Sequence, residues 1–297
     1  MRVFVIGSEG QVARSLREVA TRRSTMTVGC HSQLAVDLRH PDSLERAFDA
    51  FKPDIIVNPA AYTAVDRAEQ EAELAFAINE DGAGHAAMAA KNHDIPIIHL
   101  STDYVFDGNK SGAYAESDPV SPQTVYGRSK LAGELAVTAA NERRIILRTS
   151  WVYSPFGSNF VRTMMRLASE RDELRVVDDQ IGCPTYAPDI ADAILDIAEI
   201  VRSNGWQSRF AGVTHLAGPD AMTWFGFARD IMHVAKARGR RAAAVNPITS
   251  AEYPTSAQRP KNSCLNCERL YSTFNLRIPA FSVSLDACLD RLFEAPD

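Results

Sequence analysis

Short apolar runs recur along the first half of this chain, each followed by a stretch with helical spacing. That alternation restricts the fold more than any other feature. Val3–Ile6 stops at Gly7; Met26–Cys30, Ile55–Val57, Ile95–Leu100 and Ile145–Leu147 follow, and all read as strands. Between them, Val12–Ala20, Pro41–Phe51, the alanine-rich Ala68–Lys91 and Ser129–Ala140 read as helices, with Pro41 suited to a first turn. Strands that are apolar without alternation are buried on both faces. A parallel sheet covered by helices on each side supplies that burial. The expected fold class is therefore α/β, a doubly wound parallel sheet joined by right-handed crossovers.

Beyond about Thr149 the alternation weakens. Asn159–Ser169, Ala187–Val201 and Trp224–Ala237 read as helices, whereas Asn246–Leu265 carries prolines and little periodicity. Residues 1–150 are read as the doubly wound domain. Residues 151–297 are read mainly as a smaller α/β lobe for substrate, with some segments returning to the first domain. The 297 residues are 45% hydrophobic, enough to bury a core and exclude disorder. A net charge of −5 without single-sign blocks argues against nucleic-acid or membrane-surface partners. No run of about 18 apolar residues exists to span a bilayer. Five cysteines are too few, and odd in number, for a disulfide framework. With no apolar leader after Met1, a cytoplasmic location is expected.

Gly7-Ser8-Glu9-Gly10-Gln11-Val12-Ala13 joins the first strand to the first helix and reads G-x-x-G-x-x-A. Glycines there permit a tight turn and let a pyrophosphate approach the positive helix N-terminus. Dinucleotide folds that select NAD often place an acid about 20 residues on, for the ribose diol. Here Cys30-His31-Ser32 stands in its place, so a 2′-phosphate is not repelled. NADPH is the expected cofactor, with NADH an alternative.

Tyr126 and Lys130 are four residues apart, one face of a helix. An ammonium there is expected to favour the phenolate and lower the tyrosine pKa, making Tyr126 a proton donor to a carbonyl near neutral pH. Thr102 lies just past the fourth strand, where open α/β sheets bind ligands, and can hydrogen-bond the same carbonyl.

At these positions the chain resembles the extended short-chain dehydrogenase/reductases and, among them, the dTDP-4-dehydrorhamnose reductase family. The resemblance is carried by Gly7–Ala13, Asp37-Leu38, Asn58–Asp66, Ser101–Gly108, Tyr126–Lys130, Arg148–Tyr153, Asp179–Thr185 and Arg259–Ser263. It implies that Gly10, Gln11 and Val12 lie on the pyrophosphate and that Asp37 and Leu38 flank the adenine. Ala61, Tyr62, Thr63 and Leu100 would line the cofactor, and Lys130 would assist Tyr126. Thr102, Asp103 and Tyr104 would contact the substrate sugar, Trp151 would pack on its ring, and Arg259 would help fix the nucleotide. The implied reaction is NAD(P)H-dependent reduction of the C4 ketone of dTDP-4-dehydro-L-rhamnose, with a homodimer as one assembly.

Two alternatives stay open: a reductase of another nucleotide-linked 4-ketosugar, and a non-catalytic subunit resembling the regulatory partner of methionine adenosyltransferase. Related dehydratases carry Thr-Asp-Glu after the fourth strand; Tyr104 after Asp103 departs from that pattern. Some family members bind magnesium at a dimer contact through acids of the first helix. Here Arg14, Ser15 and Arg17 precede Glu18, so magnesium stays open and no metal ligand is assigned. Cys264 and Cys267 lack the further ligands a zinc site needs and read as ordinary thiols. His215, inside the apolar run Val213–Ala217, reads as a core histidine.

Overall fold

The computed structural model describes residues 1–294; the expected end of the second lobe, residues 295–297, lies outside the described residues. In chain order the strands are β1 (Arg2–Ile6), β2 (Thr27–His31), β3 (Ile55–Asn58), β4 (Ile97–Thr102), β5 (Arg144–Thr149), β6 (Val152–Tyr153), β7 (Glu173–Val177), β8 (Ile181–Gly182), β9 (Thr185–Tyr186), β10 (Gly212–His215), β11 (Met222–Thr223) and β12 (Ala244–Ile248). The helices are α1 (Gln11–Ala20), α2 (Pro41–Phe51), α3 (Val65–Ala68), α4 (Ala72–Phe76), α5 (Gly82–Asn92), α6 (Val125–Ala140), α7 (Phe160–Glu170), α8 (Ala187–Asn204), α9 (Trp224–Ala237), α10 (Glu268–Phe274) and α11 (Phe281–Glu294).

Six parallel strands form the central sheet in the order β10-β5-β4-β3-β1-β2. The interior strands β3 and β4 are buried throughout, as their unalternated apolar runs require. On one face Val3, Val5, Ile98 and Leu147 pack with Leu16 of α1 and Ile190, Ile194 and Ile197 of α8. On the other, Phe4, Ile56 and Ile146 pack with Leu44 and Phe48 of α2 and the alanines of α5. A separate core gathers Tyr153, Phe227, Phe281 and Leu285 among α7, α9, α11 and the parallel pair β7–β12. β10 and α8, both late in the sequence, thus belong to the central sheet and its covering layer.

The long helix expected over Ala68–Lys91 is instead α3, α4 and α5, with a wider π-helical turn at Ala77–Asp81 before α5. The cause is Asn79. Its amide bonds the Tyr62 backbone in both directions and donates to Ser129 Oγ at 2.9 Å. Its carbonyl lies against Gly133, where a Cβ would fall 2.0 Å away. A π turn lets one residue leave the helical register to make such bonds.

A buried ion pair fixes α6 to the sheet. Glu134 of α6 accepts two bonds from Arg148 of β5, at 2.8 and 2.6 Å, and one from Ser101 Oγ of β4 at 2.5 Å. Both charged side chains are only 4% exposed, and the Phe106 ring lies 5.0 Å from the guanidinium. Removing one partner strands the other charge in a dry interior. Arg148→Met is expected to cost about 3–5 kcal/mol in urea unfolding, and Glu134→Leu added to it should restore much of that loss.

Candidate functional site

The strand order reverses between β1 and β3, and open α/β sheets bind ligands above such a switch. Gly7 ends β1 at φ +101°, a left-handed conformation that disfavours side chains, and its N–H bonds His31 O at 2.8 Å. Gly10 precedes α1, whose N-terminus has no side-chain cap. A Cβ at Gly10 would meet nothing within 4 Å. This open cradle at a helix's positive end fits a dinucleotide pyrophosphate. The Gln11 side chain is not part of it. Its amide accepts from Ser154 Oγ at 2.7 Å and Asn159 at 3.1 Å and donates to Val152 O, tying α1 to the segment after β6. Val12 is likewise turned into the core. Only the backbone N–H groups of these two remain for a ligand.

At the end of β2 stand the three residues that take the place of the absent acid, and two of their side chains are engaged within the protein. His31 stacks on Phe4 at 3.9 Å and meets Phe51 edge-on, because aromatic burial outweighs exposure of the ring. Its Nε2 is buried without a partner and burial lowers its pKa, so it does not reach toward a ribose. The Cys30 thiol faces Ala13 O at 3.5 Å, and burial pushes it up to about 11. Ser32 stays half-exposed. The Asp37 carboxylate is held by Arg39 at 2.7 Å, which brings its pKa down to about 2. Leu38 turns inward onto Gly82, so its side chain floors the site from the core side. Ala61, Tyr62 and Thr63 leave β3 at the rim; Tyr62 donates to Glu71 at 2.6 Å and, like Tyr126, packs against the small cluster of Ala68, Ala75 and Val125.

The other half of the site forms where β4 ends. Thr102 pairs in register with Thr149 of β5, which places both at the edge of the sheet. Asp103–Val105 then makes one tight 3-10 turn. Thr124 caps α6 by accepting from Gly127 N at 3.0 Å. A Cβ at Gly127 would fall 2.3 Å from Tyr104 O, so the glycine lets α6 lie directly on that turn. Tyr126 is thereby brought to Tyr104, edge to face at 5.5 Å, and within hydrogen-bonding reach of the Thr102 hydroxyl. Lys130, one turn on, is buried. Its Nζ donates to Leu100 O at 2.7 Å and lies 3.5 Å from His99 Nε2.

The expected lowering of the Tyr126 pKa is not found. Burial raises it strongly, and nearby Asp103 and Tyr104 raise it further, against the Thr102 hydrogen bond. The ammonium that was to lower it is held on Leu100 O. Burial lowers Lys130 itself to about 8, with Glu134 opposing. The phenol is therefore firmly protonated, the form a proton donor needs.

Arg259 bonds Asp66 at 2.5 Å and Tyr104 Oη at 3.2 Å. It opens on a small pocket with Gln123, Gln258 and Lys261. Trp151 departs from its expected place on a sugar ring. It stacks on Trp224 at 3.4 Å, and a Cβ at Gly182 would fall 2.2 Å from its ring. With the ring held between those two, its conformation at φ +46° is locked. Sequence reasoning missed Asp66, Asn79, Gly127, Glu134 and Trp224 as parts of this arrangement. Asp66, inside the Asn58–Asp66 motif, and Gly127, inside the Tyr126–Lys130 motif, carried a local signal.

Comparison with known proteins agrees with this geometry. A family model described as RmlD substrate binding domain matches residues 1–294. A dTDP-4-dehydrorhamnose reductase of Sinorhizobium fredii is 46% identical, covering 96% of this chain and 95% of its own length. The crystal structure of a dTDP-4-dehydrorhamnose reductase from Clostridium acetobutylicum superposes with a TM-score of 0.91 at 33% identity, covering 99% of this chain and 100% of its own. One from Bacillus anthracis, in complex with NADP, gives 0.89 at 32% identity, covering 98% and 99%.

Adding a methyl at Gly127 must push α6 off the Tyr104 carbonyl. A misplacement of about 1 Å costs on the order of 10²-fold in rate. Gly127→Ala should therefore lose about that factor in kcat while keeping wild-type circular dichroism.

Proposed function

The chain belongs to the RmlD substrate binding domain family, and on that premise we propose that it reduces the C4 ketone of dTDP-4-dehydro-L-rhamnose to give dTDP-L-rhamnose, with NADPH as reductant. The observation that carries this reading is the meeting of Thr102 and Tyr126 at the end of β4, with Lys130 one helical turn behind. The open glycine cradle lies on the same sheet edge.

The cradle at Gly7 and Gly10, the backbone of Gln11 and Val12, and the rim at Asp37 and Ala61–Thr63 would hold the dinucleotide. The chemistry it supplies is a hydride to the C4 carbon. As that carbon is reduced, negative charge grows on the C4 oxygen. Thr102 donates a hydrogen bond to it, and Tyr126 transfers its phenolic proton. The buried ammonium of Lys130 then stabilises the phenolate, which burial otherwise makes costly. Arg259, set by Asp66 and Tyr104, would take the diphosphate of the sugar nucleotide, since guanidinium matches phosphate in geometry and charge. Trp151 keeps a supporting place through its stack with Trp224.

The division near residue 150 into dinucleotide and substrate parts, a homodimeric assembly and a cytoplasmic location complete the proposal. Magnesium is left open. The location is supported by cysteines that are all free thiols. Among the described residues no helix is long and apolar enough to cross a membrane.

The test follows NADPH absorbance with purified protein and enzymatically made dTDP-4-dehydro-L-rhamnose, then identifies the sugar. Turnover to dTDP-L-rhamnose is expected; an unchanged sugar contradicts the reading. Tyr126→Phe should lose about 10²–10⁴-fold in kcat, the range a positioned acid contributes, with NADPH affinity nearly unchanged. Because Cys30-His31-Ser32 puts no carboxylate at the end of β2, kcat/KM should be higher with NADPH than with NADH; equal values would show that the absent acid decides little.

A further inference from the structure

Thr102 holds more hydrogen bonds than its reaction can use. A hydroxyl has one hydrogen and two lone pairs. Here the hydrogen goes to Asp103 Oδ1 at 3.0 Å. One lone pair takes the Tyr104 N–H at 3.3 Å. With Asp103 ionised, Thr102 gives its only hydrogen to a carboxylate. That hydrogen is not left for a ketone.

We propose that Asp103 is the positioning residue that aims the Thr102 hydroxyl: as a protonated acid it donates to Thr102, whose hydrogen then turns to the ketone. The two lone pairs of Thr102 are now filled by Tyr104 N–H and the Asp103 acid. Asp103 keeps its proton throughout; nothing is transferred from it. The inference rests on the reductase reading, which it deepens.

The surroundings favour the neutral acid. Asp103 is 4% exposed, and its Oδ2 is buried without a hydrogen-bond partner. The titratable groups around it are Tyr104 on its own turn, Tyr126 on α6 and Cys264 on the segment after Ser263, none of them cationic. The two cations of the site are engaged elsewhere, Arg259 by Asp66 and Lys130 by Leu100 O. Burial, opposed by hydrogen bonds from Ser263 and Thr102, leaves the Asp103 carboxyl raised to about 6.

The test compares pH profiles of kcat for wild type, Asp103→Asn and Asp103→Leu. An asparagine amide donates to Thr102 at every pH, and leucine donates at none. Wild-type kcat should fall by about tenfold per pH unit above about 6, where Asp103 ionises. Asp103→Asn should keep kcat within about threefold at low pH and fall only above about 8, where Lys130 loses its proton. Asp103→Leu should lose about 10²-fold or more at all pH values. An Asn variant as impaired as Leu, or one with the wild-type profile, overturns the proposal. Carboxyl-carbon NMR of the NADPH complex reads the same point without turnover. A protonated Asp103 at pH 5, below its titration near 6, supports the proposal and an ionised one overturns it, so a failed substrate assignment leaves this result intact.

Discussion

Everything in the site hangs from one buried carboxylate. Glu134 binds Arg148 of β5 and Ser101 of β4 from the middle of α6, so a single side chain bolts the helix to two neighbouring strands. Two glycines then decide how close the helix comes, Gly127 against the Tyr104 carbonyl and Gly133 against that of Asn79. A buried ion pair of this kind adds little net stability over a hydrophobic replacement. Its value here is geometric: it fixes where Tyr126 and Lys130 stand relative to Thr102.

The same helix settles the electrostatics. Its inner face carries Lys130 and Glu134, and its first turn carries a phenol that burial keeps protonated. A site read from spacing alone assigns Lys130 the task of lowering the tyrosine pKa. In the structure that ammonium is pinned on Leu100 O and burial outweighs it; favouring the phenolate and lowering the tyrosine pKa are one free energy, so Lys130 serves the reaction only as far as it offsets that burial.

Much of the fold was legible because strands such as Ile55–Val57 and helices such as Pro41–Phe51 obey local rules of period and capping. β10 was not, since its short run gained strand character only by pairing with β5. The break between Ala68 and Gly82 also escaped the sequence: alanines predict helix there, and the long-range bonds of Asn79 override them. In the site, Thr102, Tyr126 and Lys130 were legible because adjacent elements bring them together. The packing of His31, Cys30 and Trp151 was not legible for a common reason. Each has a tertiary partner — Phe4, Ala13 or Trp224 — that no local spacing announces.

The central claim is that two hydroxyls from different elements meet one ketone oxygen. A crystal structure with NADP+ and dTDP-L-rhamnose tests it most directly. The account predicts the sugar C4 oxygen within about 3 Å of both Thr102 Oγ1 and Tyr126 Oη, at hydrogen-bonding distance. A C4 oxygen bonded to neither, with the sugar seated elsewhere in the cleft, would contradict it.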